Sequence, residues 1–165
     1  MGLYFIGGIP GTGKTTLMYE LCSRGEEAHD TDVECIRYSK QTGKVLDYEE
    51  SKNEDYNWIY PATSLKKLKQ RSFSKNVFLL GSIDNFDEVN AAADEYIWMT
   101  LPLDMLLRRL DKRSKEYGKS TKERQSIIQL HKEMEIMDQS KTFKLDGKKP
   151  VGEIADNLLR HVSRL

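Results

Sequence analysis

Cysteine, proline and histidine are scarce in this chain of 165 residues, at 2, 4 and 3 copies. Cys22 and Cys35 have no CxxC spacing and no histidine cluster beside them, and both lie in stretches that read as helical. A disulfide framework or a zinc ribbon is therefore excluded, and a reducing, cytoplasmic setting is expected. Long apolar runs are missing as well. Nothing approaches the ~18 residues that a membrane span requires. The opening Met1-Gly2-Leu3-Tyr4-Phe5-Ile6 lacks a basic segment and a small-residue cleavage site, and Ile6 stands where a myristoylation signal has Ser or Thr. Neither a signal peptide nor a lipid anchor is expected. Net charge is absent too, with Lys+Arg and Asp+Glu at 26 each. No global field draws such a protein to nucleic acid or to a membrane surface. With no internal repeat or low-complexity tract, the chain reads as one domain, residues 1–165, long enough to bury a core. It is expected to be a monomer.

Leu3-Tyr4-Phe5-Ile6 is a short continuous apolar run ending at Gly7-Gly8, the pattern of a strand buried on both faces. Lys14 to Arg24 follows as a helix, with Leu17 and Leu21 on one stripe and Gly25 as its stop. A polar passage runs to about Lys75, with helical pieces predicted at Val33–Tyr38 and Ser64–Arg71. Val77–Leu80 and Tyr96–Met99 are further buried-strand candidates, separated by a short helix over Asn85–Ala93. Leu103, Leu106, Leu107 and Leu110 form one helical stripe. After a loop at Tyr117-Gly118, Thr121–Asp138 reads as a helix, Thr142–Leu145 as a weaker strand and Val151–Val162 as a closing amphipathic helix. Strands alternating with helices point to an α/β domain with a mostly parallel sheet.

Gly8-Ile9-Pro10-Gly11-Thr12-Gly13-Lys14-Thr15 matches GxxxxGK[ST] at every fixed position, after an apolar strand and at the start of a helix. Glycines let backbone N–H groups turn onto phosphate oxygens without a Cβ clash. The helix N-terminus adds roughly half a positive charge at the same place. In this motif the lysine, here Lys14, reaches the β- and γ-phosphates and the Thr15 hydroxyl ligates Mg²⁺. Thr16 follows in the first helical turn. Nucleotide-phosphate binding is the direct expectation. No NKxD motif for guanine is present. Val77–Leu80 runs into Gly81, not into the Asp of a Walker B strand, with Asp84 arriving later. The chain also lacks room for the second helical domain of an AAA-type machine.

On these residues the sequence resembles the group of shikimate, adenylate and nucleoside kinases, across nearly the whole chain. Asp30-Thr31-Asp32 looks like the DxD of shikimate kinases at the end of a second strand, which places that strand at Glu26–His29. Arg109 and Arg113, one helical turn apart, resemble the lid arginines of the group. Asp146-Gly147, followed by Pro150, resembles the loop that contacts adenine.

The resemblance implies a three-layer α/β/α fold. Its five-stranded parallel sheet has the order 2-3-1-4-5, with a helical lid at about 109–124 and an acceptor-binding region at about 30–75. It implies ATP and Mg²⁺, with Arg113 neutralising the transferred phosphoryl group and Arg109 stacking on adenine. Asp30 falls to the metal side and Asp32 to the acceptor hydroxyl, while Gly81 and Ser82 occupy the acceptor rim. Each landmark also has a plain structural reading: Asp30 or Asp32 as a helix cap, Asp84 or Asn85 as another, Trp58 as core. The basic residues Arg108, Arg109, Lys112, Arg113, Lys115, Lys119, Lys122 and Arg124 stand against only Asp111, Glu116 and Glu123, which suits a lid closing over ATP.

The pattern breaks at two places. No glycine triplet follows the third parallel strand, where Gly81-Ser82-Ile83 stands, and no arginine lies between Thr42 and Tyr60. Those are the groups that hold the acid or the monophosphate in shikimate and adenylate kinases, with Arg37 and Arg71 as the available substitutes. An uncharged acceptor with hydroxyls, such as a nucleoside, therefore fits better, with Trp58 between Tyr56 and Tyr60 to stack on a flat ring. The expected activity is γ-phosphoryl transfer from ATP to a small hydroxylated acceptor, nucleoside or nucleotide favoured. Shikimate-kinase-type activity, an ATP-dependent switch acting through a protein partner, and a nucleic-acid end kinase are the alternatives. Zero net charge argues against the last.

Overall fold

The computed structural model describes residues 1–112, 120–137 and 143–165. In chain order the first half contains β1 (Leu3–Gly8), α1 (Lys14–Ser23), β2 (Glu27–Asp30), α2 (Thr31–Glu34), β3 (Ile36–Ser39), β4 (Val45–Leu46), a 3-10 turn at Glu50–Lys52 and β5 (Tyr56–Ile59). The second half contains α3 (Ala62–Ser72), β6 (Val77–Leu80), α4 (Phe86–Ala92), β7 (Glu95–Thr100), α5 (Leu103–Lys112), α6 (Thr121–Met137), β8 (Phe143–Asp146) and α7 (Val151–Val162).

Every residue of β1 is buried, because the strand has neighbours on both faces. Leu3 and Phe5 pack with Tyr60, Leu65, Leu68 and Val89 beneath α3 and α4. Tyr4 and Ile6 pack with Leu17, Leu21, Ile154 and Leu158 beneath α1 and α7. Successive side chains of a strand point to opposite faces, so a strand buried on both must be apolar throughout. The same holds for β6, where Val77 and Leu79 join one cluster and Phe78 and Leu80 the other. The five strands run parallel in the order β2-β6-β1-β7-β8. Counting only these strands along the chain, that is the 2-3-1-4-5 order implied by the kinase resemblance.

β2 is a strand by context more than by pattern. Its residues Glu-Ala-His-Asp are half-buried, and it pairs with β6 from Glu27↔Val77 to Asp30↔Leu80. Ala28 packs against the α1-side cluster. Glu27 is tied down by Lys75 at 2.6 Å, Arg71 at 2.9 Å and His29 at 2.9 Å. An edge strand rich in charge also resists pairing with another chain.

One expectation is corrected. The stretch 33–38 is not a helix. α2 stops after four residues, and Ile36–Ser39 turns into β3, the centre of a separate antiparallel sheet in the order β4-β3-β5. A single helical turn is not self-sustaining. Ile36, Arg37 and Tyr38 instead find cross-strand partners in Ile59, Trp58 and Asn57, some twenty residues downstream. Cys35 accordingly caps α2 and does not sit within a helix, and both cysteines are free thiols.

A third cluster sits at the C-terminal ends of the strands. Leu106 and Leu110 of α5 pack with Ile9, Leu101 and Ile127 of α6. Arg124 of α6 pairs with Asp111 of α5. Arg113 and the Tyr117-Gly118 loop lie outside the described residues. Among the described residues no helix is long and apolar enough to cross a membrane.

Candidate active site

β1 is the central strand, between β6 and β7; the chain runs from β1 out to β2 on one side and later crosses from β6 to β7 on the other. Ligands in open α/β sheets bind at the carboxyl end of such a switch point. The GxxxxGK[ST] segment lies there, between the last residue of β1 and the first turn of α1. Gly11 and Gly13 have φ of 99° and 111°, a left-handed backbone that only glycine adopts without strain. The buried Thr12 closes the loop, its hydroxyl and backbone N–H both donating to Ile9 O, at 2.9 and 3.2 Å. Ile9 is buried, whereas Thr16 is exposed on α1. Lys14 Nζ folds back over the loop, donating to Gly8 O and, at 3.3 Å, to Ile9 O. The arrangement is a nest of N–H groups with a lysine across its mouth, suited to an anion.

A carboxylate in contact with the loop comes from β2. Thr15 Oγ1 donates to Asp30 Oδ2 at 2.9 Å. Asp30 Oδ1 meanwhile accepts from the Asp32 backbone N–H at 3.0 Å and caps α2. The capping and the site-facing readings of Asp30 hold together, one oxygen for each. Asp32 follows in the first turn of α2. The hydroxyl of Thr15 and the carboxylate of Asp30 are hard oxygen donors of the kind Mg²⁺ takes beside a substrate phosphate. The residues present therefore fit the metal that the motif implies.

Negative charge gathers on this side of the loop. Cys35 sits among it, and its thiol is pushed up to about 12 by burial and then by Asp32, Asp30, Asp84 and Glu34. It stays protonated and is no nucleophile.

Asp84 is tied to the small sheet. Its Oδ2 accepts from Trp58 N at 2.6 Å, and its own N–H donates to Trp58 O at 2.8 Å. Asn85 likewise holds β5, accepting from Tyr60 N at 2.9 Å and donating to Tyr60 O at 3.0 Å. The rim loop after β6 is thus a clamp on the small sheet. Ser82 within it donates to Gly8 O at 3.0 Å and touches the phosphate loop directly. Gly81 faces Thr31: a Cβ at 81 would lie 1.7 Å from Thr31 Oγ1.

On the opposite side, Arg109 of α5 bridges two loops. It donates to Thr12 O at 3.0 Å and to Gly147 O at 2.8 Å. Asp146 Oδ1 accepts from Lys148 N at 3.0 Å and shapes the turn. Arg109, Thr12, Asp146 and Gly147 come together although the sequence separates them widely.

Trp58 sits on the small sheet, with the Arg37 guanidinium carbon 4.5 Å from its ring centre. That association, which also involves Tyr48 and Tyr56 at 5.6 and 5.7 Å, is missed by the sequence reading. The alternating Tyr56 and Trp58 were its available signal, since period two places both on one face of a strand.

Residues 5–138 match the model of the AAA domain family. The chain belongs to that family. The match runs from β1 through α6. No curated protein matches the chain. Among solved structures, the shikimate kinase from Acinetobacter baumannii in complex with shikimate is similar over 99% of this chain and 94% of its own, at 15% identity and a TM-score of 0.63. A sugar kinase from Janibacter sp. is similar over 98% and 94%, at 16% identity and 0.60. A gluconokinase from Sinorhizobium meliloti is similar over 99% and 92%, at 16% identity and 0.56. At these identities the likeness establishes the fold, that of a P-loop small-molecule kinase.

Proposed function

We propose that this member of the AAA domain family is an ATP-dependent phosphotransferase whose acceptor is a small hydroxylated molecule, nucleoside or nucleotide favoured. The observation that carries the proposal is the 2.9 Å contact between Thr15 of the phosphate loop and Asp30 of the neighbouring strand. It sets a carboxylate where a nucleotide's terminal phosphates would arrive. The similar structures, named for shikimate, gluconate and sugar kinases, support the reaction class. They leave the acceptor open.

In this reading residues 8–16 hold the triphosphate, with Lys14 neutralising its transferring end. Arg109, Asp146 and Gly147 border the base. Thr15 and Asp30 would hold Mg²⁺, which supplies charge neutralisation on the phosphates when bound. Asp32 orients the acceptor hydroxyl, beside Gly81 and Ser82 on the rim. The acceptor oxygen forms its bond to the γ-phosphorus as the bridging β–γ P–O bond breaks. ADP leaves, and the hydroxyl proton passes to the Asp32 carboxylate. Arg113, from the stretch outside the described residues, neutralises the transferred group. Catalysis of this kind rests on positioning and electrostatics. Closure of the 109–124 lid excludes the water that would otherwise hydrolyse ATP.

The test is ADP release from Mg-ATP against nucleosides, nucleoside monophosphates, shikimate, gluconate and simple sugars, with phosphorylated product confirmed by mass. One acceptor raising turnover by orders of magnitude supports the reading. Lys14→Ala should abolish both that turnover and most nucleotide binding. A slow rate indifferent to every acceptor would refute it and favour a nucleotide switch with a protein partner.

A further inference from the structure

A place on the acceptor rim does not by itself call for the contact that Ser82 makes. Its hydroxyl donates to Gly8 O at 3.0 Å, and the same carbonyl accepts from Lys14 Nζ. Gly8 ends β1, Lys14 opens α1, and Ser82 stands just past the end of β6. One oxygen atom thus joins the lysine of the phosphate loop to a residue 74 positions away from Gly8. A carbonyl oxygen has two lone pairs, so it can serve both donors at once.

The ladder between β1 and β6 explains the contact. Its last strand pair is Ile6↔Leu80, and the Gly81 N–H continues it by donating to Ile6 O at 3.1 Å. Acceptors on one side of a parallel strand recur every second residue, so Gly8 O comes next on the side of β6. There the chain has already left the ladder for the small sheet, and the Ser82 hydroxyl supplies the donor in place of a backbone N–H. The loop that carries Ser82 is held at both ends. Gly81 lies against fully buried Thr31, while Asp84 and Asn85 accept from Trp58 N and Tyr60 N at 2.6 and 2.9 Å. Ser82 is therefore presented from a fixed base. Lys14, by contrast, is a point charge on a flexible stem, and its aim depends on what it rests against. It rests on Gly8 O and, at 3.3 Å, on Ile9 O. Turning the Gly8 carbonyl would take the first of those supports away.

We propose that Ser82 is a positioning residue for Lys14, acting through the Gly8 carbonyl, so that nucleotide affinity depends on Ser82 before any acceptor binds. The inference rests on the nucleotide-binding half of the proposed function and on no particular acceptor. It differs in outcome from a place on the rim alone, which would make Ser82 matter to the acceptor and leave nucleotide affinity unchanged.

Binding of Mg-ATP is measured by calorimetry with no acceptor present, in wild type and in Ser82→Ala, Ser82→Val and Ser82→Thr. Val and Thr have nearly the same shape, so that pair isolates the hydroxyl, and Ser82 is exposed, which leaves room for the extra methyl group. Ser82→Ala and Ser82→Val should weaken ATP by about 3- to 10-fold, the worth of one hydrogen bond. Ser82→Thr should bind as wild type does. A second readout follows Lys14 itself: its acetylation by acetic anhydride in the nucleotide-free protein, read by mass spectrometry against the other lysines. An ammonium resting on two carbonyls is shielded, so labelling should quicken in Ser82→Ala and Ser82→Val and not in Ser82→Thr.

Unchanged ATP affinity in the two variants without a hydroxyl overturns the proposal, and so does an equal loss in Ser82→Thr. An affinity loss with Lys14 labelling unchanged would assign Ser82 a direct contact with the nucleotide and overturn it as well. If Ser82→Val fails to fold, Ser82→Ala against Ser82→Thr decides by the same criteria. A wild type that shows the Ser82 effect while no acceptor stimulates ADP release would sink the kinase and keep this assignment. An active kinase whose ATP affinity ignores Ser82 would do the reverse, and a wild type that binds no ATP would refute both.

Discussion

Gly81→Ala tests whether the corner carrying Asp30 and Asp32 is set by close packing across β2 and β6. A methyl group built at 81 lies 1.7 Å from Thr31 Oγ1, 2.6 Å from its Cβ and 2.7 Å from its Cγ2. Rotating Thr31 about χ1 exchanges one substituent for another but leaves its Cβ at 2.6 Å, so a rotamer change alone gives no relief. Thr31 is fully buried and has nowhere to retreat. The two strands must therefore move apart where Asp30 pairs with Leu80. Overpacking at such a site costs about 3 kcal/mol, the upper end of the usual range. For a chain of this size that lowers the Tm by about 6–12 °C.

Thr31→Ala removes two of the three clashing atoms. It also deletes a buried hydroxyl that has no hydrogen-bond partner, so alone it should be mild. Urea unfolding of the wild type, both single variants and the double variant closes the cycle. Gly81→Ala should cost at least about 1 kcal/mol less in the Thr31→Ala background. The displaced Asp30 should also lower nucleotide affinity more in the presence of Mg²⁺ than in its absence. Additivity within about 0.5 kcal/mol, or a Gly81→Ala variant as stable as wild type, would refute the argument.

Two further outcomes are expected. Burial pushes the Glu27 carboxyl up, but Lys75, His29 and Arg71 outweigh it and hold the pKa at about 2, against an ordinary 4.5. The stabilisation is thus complete above pH 4.5 and lost as pH falls through 2. The bare shift corresponds to about 3 kcal/mol, and the water around half-exposed Lys75 and Arg71 reduces this to about 1–2. Glu27→Gln should be less stable by that amount at neutral pH and converge on wild type below pH 2. A constant gap across pH, read by urea midpoints, would exclude the ionic origin. Asp32→Asn should lower turnover by about 100-fold or more, as expected of a lost general base, with ATP binding little changed; unimpaired turnover removes Asp32 from the proposed chemistry.

The parts of this protein legible in the amino-acid sequence are those governed by neighbours along the chain. The phosphate loop is eight consecutive residues whose glycines, lysine and threonine dictate a turn and a helix start. The doubly buried strands betray themselves by unbroken apolar runs, and α5 and α7 by their stripes. Their parallel order follows from the kinase resemblance, and the sheet has it.

The antiparallel lobe was not legible in this way. Residues 33–38 have an acceptable helical pattern, yet a helix of one turn loses to pairing with Tyr56–Ile59, a contact that exists only once the intervening loop has closed. Asp84 reads equally as a helix cap or as part of the acceptor rim until Trp58 is seen to engage it. Arg37 meets its three rings only where two strands and a loop bring Tyr48, Tyr56 and Trp58 around it. Local chemistry thus determined the phosphate loop and the groups it presents. Non-local pairing alone decided what surrounds that loop, because each of those contacts joins residues that no periodicity connects.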